Sequence, residues 1–336
     1  MGLVLLIIIF IGSLALLVKG ADWLLDKAEK IGLSAGLSPF IVGVTIVALG
    51  TSFPELISGF FAAADGVPEI VAANAIGSNL ANIFLIVGIS ALVARKLVVT
   101  KSLIDLDLPL LAISTVLLLG ILWDREVVLG EAILLLVTYG IYFFYTLLHQ
   151  HEEEEKEEGK EKRAVLPAGR KGKYRRRKKK KPKGKRPKLT IKDFIWLGIG
   201  IAALAFGAKY VIDSVVGISE ILEISPGIIA ITAIAFGTSL PELIVSIKAA
   251  LRNKAEVALG NIFGSNVFNA LVVIGLPGLF YKLPVDDQTF MLGIPAMALA
   301  TLLFVISGIS RRIHIWEGAM YLVIYALFIG KLLGIF

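Results

Sequence analysis

Two stretches of this chain are copies of one pattern. Residues 48–82 read ALGTSFPELISGFFAAADGVPEIVAANAIGSNLAN, and residues 235–269 read AFGTSLPELIVSIKAALRNKAEVALGNIFGSNVFN. They align without a gap at an offset of 187 residues, with 16 of 35 positions identical. The register reaches upstream: Ser38-Pro39 pairs with Ser225-Pro226, and Asp26 with Asp213. Shared apolar composition does not explain why GTS-x-PELI and N-x-x-GSN-x-x-N recur at one separation. Such polar, helix-disrupting residues are what a lipid-facing helix avoids. The chain is read as a duplication, and internal repeats of this kind are a signature of transporter folds.

The copies sit in a membrane protein. Of the 336 residues 57% are hydrophobic, and the 18% that are charged fall below the roughly 25% usual for soluble domains. A span needs about 20 mostly apolar residues. Ten candidates follow: 2–26, 38–64, 68–94, 106–123 and 127–148, then 193–217, 225–251, 255–280, 288–308 and 314–334. No stretch alternates like a barrel strand, so helices are expected. The run Leu3–Val18 lacks a basic leader and a cleavage site, and is read as a retained span rather than a signal peptide. Five spans per half is an odd number, so the second copy enters the membrane in the opposite sense. The expected fold is an all-α membrane protein: ten transmembrane helices as two inverted five-helix repeats. Helices 2, 3, 7 and 8 are expected to be broken at a shared central site.

Three segments are expected: 1–148, the first repeat; 149–192, a charged linker; and 193–336, the second repeat. Of the 34 Lys and Arg residues, 19 lie between His149 and Lys192, so the net charge of +7 is largely local. The linker opens acidic (Glu152 to Glu155) and turns basic (Arg175 to Lys181), with Pro167, Pro182 and Pro187. That composition is expected to be disordered. Only Tyr174 interrupts the basic run, which speaks against nucleic-acid binding. The run reads first as a topology signal and second as a contact for anionic lipid. The positive-inside rule puts the linker in the cytoplasm and both termini outside, in the cell membrane. Arg95, Lys96 and Lys101 then fall inside, in agreement. Arg311 and Arg312 fall outside, against the rule, and the larger cluster decides. Lys19, Asp22, Asp26, Lys209 and Asp213 read as interfacial anchors.

The chemistry open to this chain is narrow. It has no cysteine and three histidines, all at or beyond the ends of apolar runs, so thiolate and histidine metal centres are not expected. No Ser/Lys or Ser/His dyad, membrane aspartate pair or HExxH is present; no enzyme activity and no cofactor are expected. The repeated motif offers hard oxygen ligands instead. In Gly50-Thr51-Ser52-Phe53-Pro54-Glu55, glycine and proline are suited to breaking a helix. Thr51 or Ser52 is expected to cap the half-helix that follows, with Pro54 near its first position. The preceding half-helix would end at Ala48 to Gly50, and its freed carbonyls attract cations. Glu55 shares a face with Thr51. A carboxylate at this depth costs several kcal/mol unless it meets a polar cavity, a proton or a cation. Glu242 repeats the arrangement beside Thr238, Ser239 and Pro241, and two such acids balance one Ca2+. Ser78 with Asn82, and Ser265 with Asn269, add neutral oxygens suited to Ca2+ and Na+. Gly77, Gly264, Asn74 and Asn261 read as helix-packing residues.

The paired GTS-x-PEL and GSN-x-x-N blocks resemble the alpha repeats of the sodium/calcium exchanger family, in the calcium/cation antiporter superfamily. The resemblance covers nearly the whole chain. It implies a secondary-active antiporter in which one central site between Glu55 and Glu242 alternates between Ca2+ and several Na+. By motif position, Thr51, Ser52, Thr238 and Ser239 would contribute oxygens, as would the carbonyls of Ala48 and Ala235. Ser78 and Ser265 would flank sodium sites. The first and sixth helices would slide across the bundle to switch access. Asn269 stands where potassium-dependent relatives carry aspartate, which leans toward potassium independence. The stretches NAIGSN and NIFGSN differ from the GN-x-x-E of proton-coupled relatives. H+/Ca2+ exchange and K+-dependent Na+/Ca2+ exchange stand as the alternatives.

Overall fold

The computed structural model describes residues 2–94, 96–98, 108–164, 187–221, 237, 239–310 and 312–335, with the backbone alone for 96–98, 149–164, 219 and 220. Ten helices are named in chain order: α1 Leu3–Ala35, α2 Pro39–Ala64, α3 Glu69–Ala94, α4 Leu108–Asp124, α5 Leu129–Ala164, α6 Ile191–Ile221, α7 Leu240–Leu251, α8 Ala255–Gly278, α9 Thr289–Ile309 and α10 Ile315–Leu332. Eight contain windows long and apolar enough to cross a membrane. α4 is a shorter apolar helix, and the first part of the seventh expected span lies outside the described residues. The chain is an integral, multi-pass, all-helical membrane protein.

The linker is shorter than its composition suggests. α5 continues through the acidic stretch to Ala164, where disorder from residue 149 was expected. Glu and Lys are strong helix formers, and Glu152–Lys156 and Glu158–Lys162 fall at the favourable i,i+4 spacing. The basic run lies outside the described residues. Below, the side of the molecule that carries residues 149–164 and 187–190 is called the linker side.

Burial sorts the helices by depth. The apolar window of α8 is 100% buried, those of α2 and α3 72% and 78%, and those of α1, α5 and α10 22%. Three of the four motif-bearing helices, α2, α3 and α8, therefore form the centre, and α1, α5 and α10 are the most exposed. One apolar core joins α2, α3, α4, α5, α8, α9 and α10 around Phe84, Phe263 and Phe304. A second joins α1, α6 and α7 to the linker-side ends of α2 and α8, through Leu17, Leu24, Val47, Leu204 and Val245.

The duplication is visible as matched contacts. α1 and α6 cross with their backbones touching. A Cβ on Gly20 would lie 3.0 Å from Leu204 N and 3.1 Å from Gly200 O; one on Gly207 would lie 3.0 Å from Leu17 N and 3.2 Å from Ser13 O. Gly207, Leu204 and Gly200 stand 187 residues after Gly20, Leu17 and Ser13, so each half of the crossing mirrors the other. Widened π turns occupy Ala81–Ile86 in α3 and Asn269–Val273 in α8, again one repeat apart. Two short strand pairs were not foreseen. β1 (Lys96–Val98) pairs antiparallel with β4 (Arg312–His314), and β2 (Glu126–Val127) with β3 (Leu283–Pro284). β1 and β3 are repeat mates, as are β2 and β4, so one pair maps onto the other. Each pair satisfies the backbone of two loops that join neighbouring helices.

Backbone approach also sets α2 against α8. A Cβ on Gly264 would lie 2.3 Å from Val44 O, and one on Gly260 2.4 Å from Phe40 O. Gly264 is a packing residue, as read from the sequence. Its mate Gly77 is not, since a Cβ there meets nothing within 4 Å. Gly264→Ala is expected to lower stability by about 1–3 kcal/mol, the usual range for overpacking. Gly77→Ala should be neutral or stabilising by up to about 1 kcal/mol through helix propensity. Thermal unfolding of the two purified variants beside the parent checks both.

Candidate functional site

The motif residues converge where α2, α3, α7 and α8 meet. α2 supplies Ala48, Thr51, Ser52 and Glu55; α3 supplies Ser78 and Asn82; α8 supplies Ser265 and Asn269. Ser239 stands at the N-cap position of α7, and Glu242 lies in its first turn. All are buried, most of them completely. Ala235 and Thr238 lie outside the described residues.

The local structure differs between the repeats. Ser239 occupies the N-cap position of α7 with Pro241 just inside it, but its hydroxyl makes no cap bond. In the first repeat Thr51 and Ser52 do not cap a new helix. α2 stays helical from Pro39 to Ala64, with Pro54 inside it, and the irregularity takes the form of a π turn at Gly43–Val47. One proline removes one backbone hydrogen bond, which a packed membrane helix tolerates when hydroxyls and neighbouring helices satisfy the freed groups. π turns insert an extra residue per turn and occur at functional sites. Here they adjoin Ala48, Asn82 and Asn269.

The two halves interlock through side chains. Ser52 Oγ donates to Glu242 Oε1 at 2.8 Å, tying the first repeat's hydroxyl to the second repeat's acid. Thr51 Oγ1 donates to Asn261 Oδ1 at 3.1 Å, and also lies 3.3 Å from Ala48 O and 3.5 Å from Ser265 Oγ. Asn261 Nδ2 donates to Ser246 Oγ at 3.0 Å. Asn79 Nδ2 donates to the carbonyl of its own repeat mate, Asn266, at 3.1 Å, which places the pseudo-twofold between them. Glu55 and Glu242 are near enough to act on each other electrostatically.

Several buried oxygens at this centre have no hydrogen-bond donor among the described residues. They are both carboxylate oxygens of Glu55, Oε2 of Glu242, Oδ1 of Asn82 and Asn269, and Oγ of Ser239. Leaving buried polar atoms unmatched is costly in a protein interior. The donor set is carboxylate, amide and hydroxyl oxygen without nitrogen or sulfur ligands, which suits hard cations. The described residues hold no group of three acidic or histidine side chains, so the charge available comes from these two glutamates. A separate cavity beside the centre is lined by Asn74, Gly77, Ser78, Thr289 and Tyr325, and it reaches Ser78 from between α3, α9 and α10.

Asn261 was read as packing from the sequence, yet it bonds a motif hydroxyl. Its recurrence three residues before Gly264 was the available signal, and only the α2–α8 crossing reveals its partner. Asn74 and Gly77, read likewise, line the cavity.

Residues 5–148 and 192–333 match the sodium/calcium exchanger protein family. The sodium/calcium exchanger MaX1 of Methanosarcina acetivorans is 33% identical over 96% of this chain and 97% of its own. The inner membrane protein YrbG of Escherichia coli is 30% identical, with 88% and 86% covered. A solved structure of the sodium-calcium exchanger NCX_Mj superposes with a TM-score of 0.77 at 27% identity, covering 98% of this chain and 100% of that one.

Ser52→Ala removes the donor to Glu242. It is expected to destabilise the protein by about 1–3 kcal/mol in ion-free buffer, the cost of an unsatisfied buried acceptor. Ser58→Ala, whose hydroxyl bonds only the Glu55 carbonyl of its own helix, should change little. Chemical or thermal unfolding of both variants checks the contrast.

Proposed function

The chain belongs to the sodium/calcium exchanger family, and on that premise we propose that it is a secondary-active antiporter exchanging Na+ for Ca2+ at one site between Glu55 and Glu242. The observation that carries this reading is the meeting of two buried acids, one from each inverted repeat, among oxygens that have no donor. Two ionised carboxylates carry the charge that one Ca2+ balances. Several Na+ supply the same compensation through Thr51, Ser52, Ser78, Asn82, Ser239, Ser265, Asn269 and the Ala48 carbonyl. By repeat symmetry, Thr238 and the Ala235 carbonyl complete the second half. Because both cargos use the same acids, they exclude each other, and exclusion is what couples their fluxes.

Alternating access follows from the inverted repeats. α1 and α6, joined backbone to backbone at Gly20 and Gly207, move as one body across α2, α3, α7 and α8. Further ties support that unit: Lys27 and Lys30 hold Asp193 at 3.2 and 2.6 Å, and Ser34 Oγ donates to Pro187 O at 2.6 Å. The linker faces the cytoplasm and both termini face outside, in the cell membrane, on the strength of the basic run. Asn269 leans toward potassium-independent exchange.

Purified protein in vesicles is expected to take up radioactive calcium only when sodium is loaded inside. Equal uptake without a sodium gradient overturns the reading. Uptake driven by a pH gradient in sodium-free buffer would transfer it to H+/Ca2+ exchange, and a requirement for K+ would transfer it to potassium-dependent exchange. Glu55→Gln with Glu242→Gln should abolish uptake while the protein still folds. It should also remove calcium's stabilisation, about 2.7 kcal/mol at a hundredfold excess over Kd for the parent, read as a shift in Tm.

A further inference from the structure

We propose that Asn261 is a positioning residue for the ion site, fixing the Thr51 hydroxyl so that its oxygen, and the Ala48 carbonyl beside it, face the cation. This rests on the exchanger reading. A hydroxyl has one proton and two lone pairs. Thr51 has three acceptors within reach for that proton: its own-helix carbonyl at Ala48, 3.3 Å away, Ser265 Oγ at 3.5 Å, and Asn261 Oδ1, closest at 3.1 Å. Donation to Ala48 would occupy the carbonyl that the site needs as a ligand. Donation to Asn261 leaves that carbonyl and the Thr51 lone pairs available. Asn261 is itself held, because its amide nitrogen donates to Ser246 Oγ at 3.0 Å, and all three side chains are buried. The amide anchor has no counterpart in the first repeat, since the mate of Ser246 is Gly59; the mate of Asn261, Asn74, lines the lateral cavity. Among the described residues, Thr51 is the motif hydroxyl held in this way.

A double-mutant cycle tests this. Asn261→Ala is expected to raise the calcium concentration for half-maximal sodium-driven uptake by about fivefold, the size of one hydrogen bond, with maximal rate little changed. Ser246→Ala, a smaller change, should shift it in the same direction by less. In a Thr51→Val background neither substitution should add anything. Effects that add independently of Thr51, or that fall on maximal rate alone, overturn the proposal. Absence of sodium-driven uptake in the parent would instead defeat the exchanger reading.

A second inference comes from charge at the linker side. Asp22 of α1 bonds Lys248 at 2.5 Å and Arg252 at 2.6 Å; Asp26 bonds Arg252 at 2.6 Å; Glu29 bonds Lys254. Lys248 also donates to Val18 O at 2.8 Å. These residues were read as lipid-interface anchors or left without a role, and instead they bolt α1 to the end of α7. Beneath them Leu24, Leu25, Ala28, Val47, Val245 and Ala249 form a dry plug. The repeat mates carry no such ladder. Lys248, Arg252 and Lys254 correspond to Phe61, Asp65 and Val67, and Asp22 and Glu29 to Lys209 and Val216. Lys209 pairs with Asp213 on its own helix at 2.6 Å. Val245 is fully buried, whereas its mate Ser58 is exposed. We infer that the ladder is a one-sided lock that favours the state closed to the linker side.

The chain has no cysteine, so a single reporter, Ala249→Cys, reads this gate through its rate of reaction with a polar thiol reagent. Glu29→Lys in the full-length protein is expected to raise that rate by about tenfold, since it replaces a pair with like charges. Adding Lys254→Glu should restore the parent rate. A cysteine at Ala300, in the other core, should stay slow throughout, which separates gating from unfolding. An unchanged rate in Glu29→Lys, or a fast rate in the swapped pair, overturns the lock. The measurement needs no ion flux, so it stands or falls apart from the exchanger reading.

Discussion

Two carboxyl groups buried together in an apolar bundle are the constraint on which the rest of this protein turns. Each alone is costly in a low-dielectric interior, and side by side each raises the cost of ionising the other. Among the described residues no lysine or arginine pairs with either acid. The charged side chains of α7 and the turn after it lie beyond Glu242 toward the linker side, committed to α1. What surrounds the acids is hydroxyl, amide and carbonyl oxygen. On the proposed reading, mobile cations rather than fixed ones stabilise such a centre, and a site that depends on mobile cations is suited to carrying them.

The duplication builds that centre economically. A motif that places one acid beside a few oxygens on a membrane helix makes half a site. Inverting the copy brings the second half across the pseudo-twofold, where Asn79 meets Asn266 and Ser52 meets Glu242. The glycine crossing of α1 with α6, the paired π turns and the two strand pairs show the same operation acting from the core to the loops. Close backbone approach at Gly20 and Gly207 needs no polar group, so the contact between α1 and α6 there is apolar, while polar ties of α1 run to the end of α7.

Much of this is written in the sequence because it is local or periodic. Hydropathy marks the spans, the odd number per half dictates inversion, and the repeated acids mark the centre. What the sequence did not disclose depends on contacts between distant segments. Nothing near Asn261 announces Thr51 as its partner, and nothing near Asp22 announces Lys248. A charge near a span end reads as an interfacial anchor until the fold supplies its counter-ion. The behaviour at Pro54 was misjudged for a related reason. Local propensity says that proline ends a helix, but packing against α8 keeps α2 helical and moves the distortion to Gly43–Val47. The extension of α5 to Ala164 errs in the opposite direction: composition suggested disorder, while i,i+4 charge pairing favours helix.

Perfect inverted symmetry would make the two access states equal in energy, with no preference set by the protein. This chain keeps the symmetry in much of its backbone, the start of α7 apart, and abandons it in its charges. Asp22, Lys248 and Arg252 cluster on one side, and their mates Lys209, Phe61 and Asp65 make no bridge between the same pair of elements. The hydroxyl–amide chain through Asn261 breaks the symmetry again at the centre, because Gly59 stands where Ser246 would be needed. Both departures concern side chains alone, so they alter the energies of the two states without altering the path between them. On the proposed exchanger reading, the duplicated fold supplies the reversibility of the cycle, and the substitutions accumulated since the duplication set which way it rests.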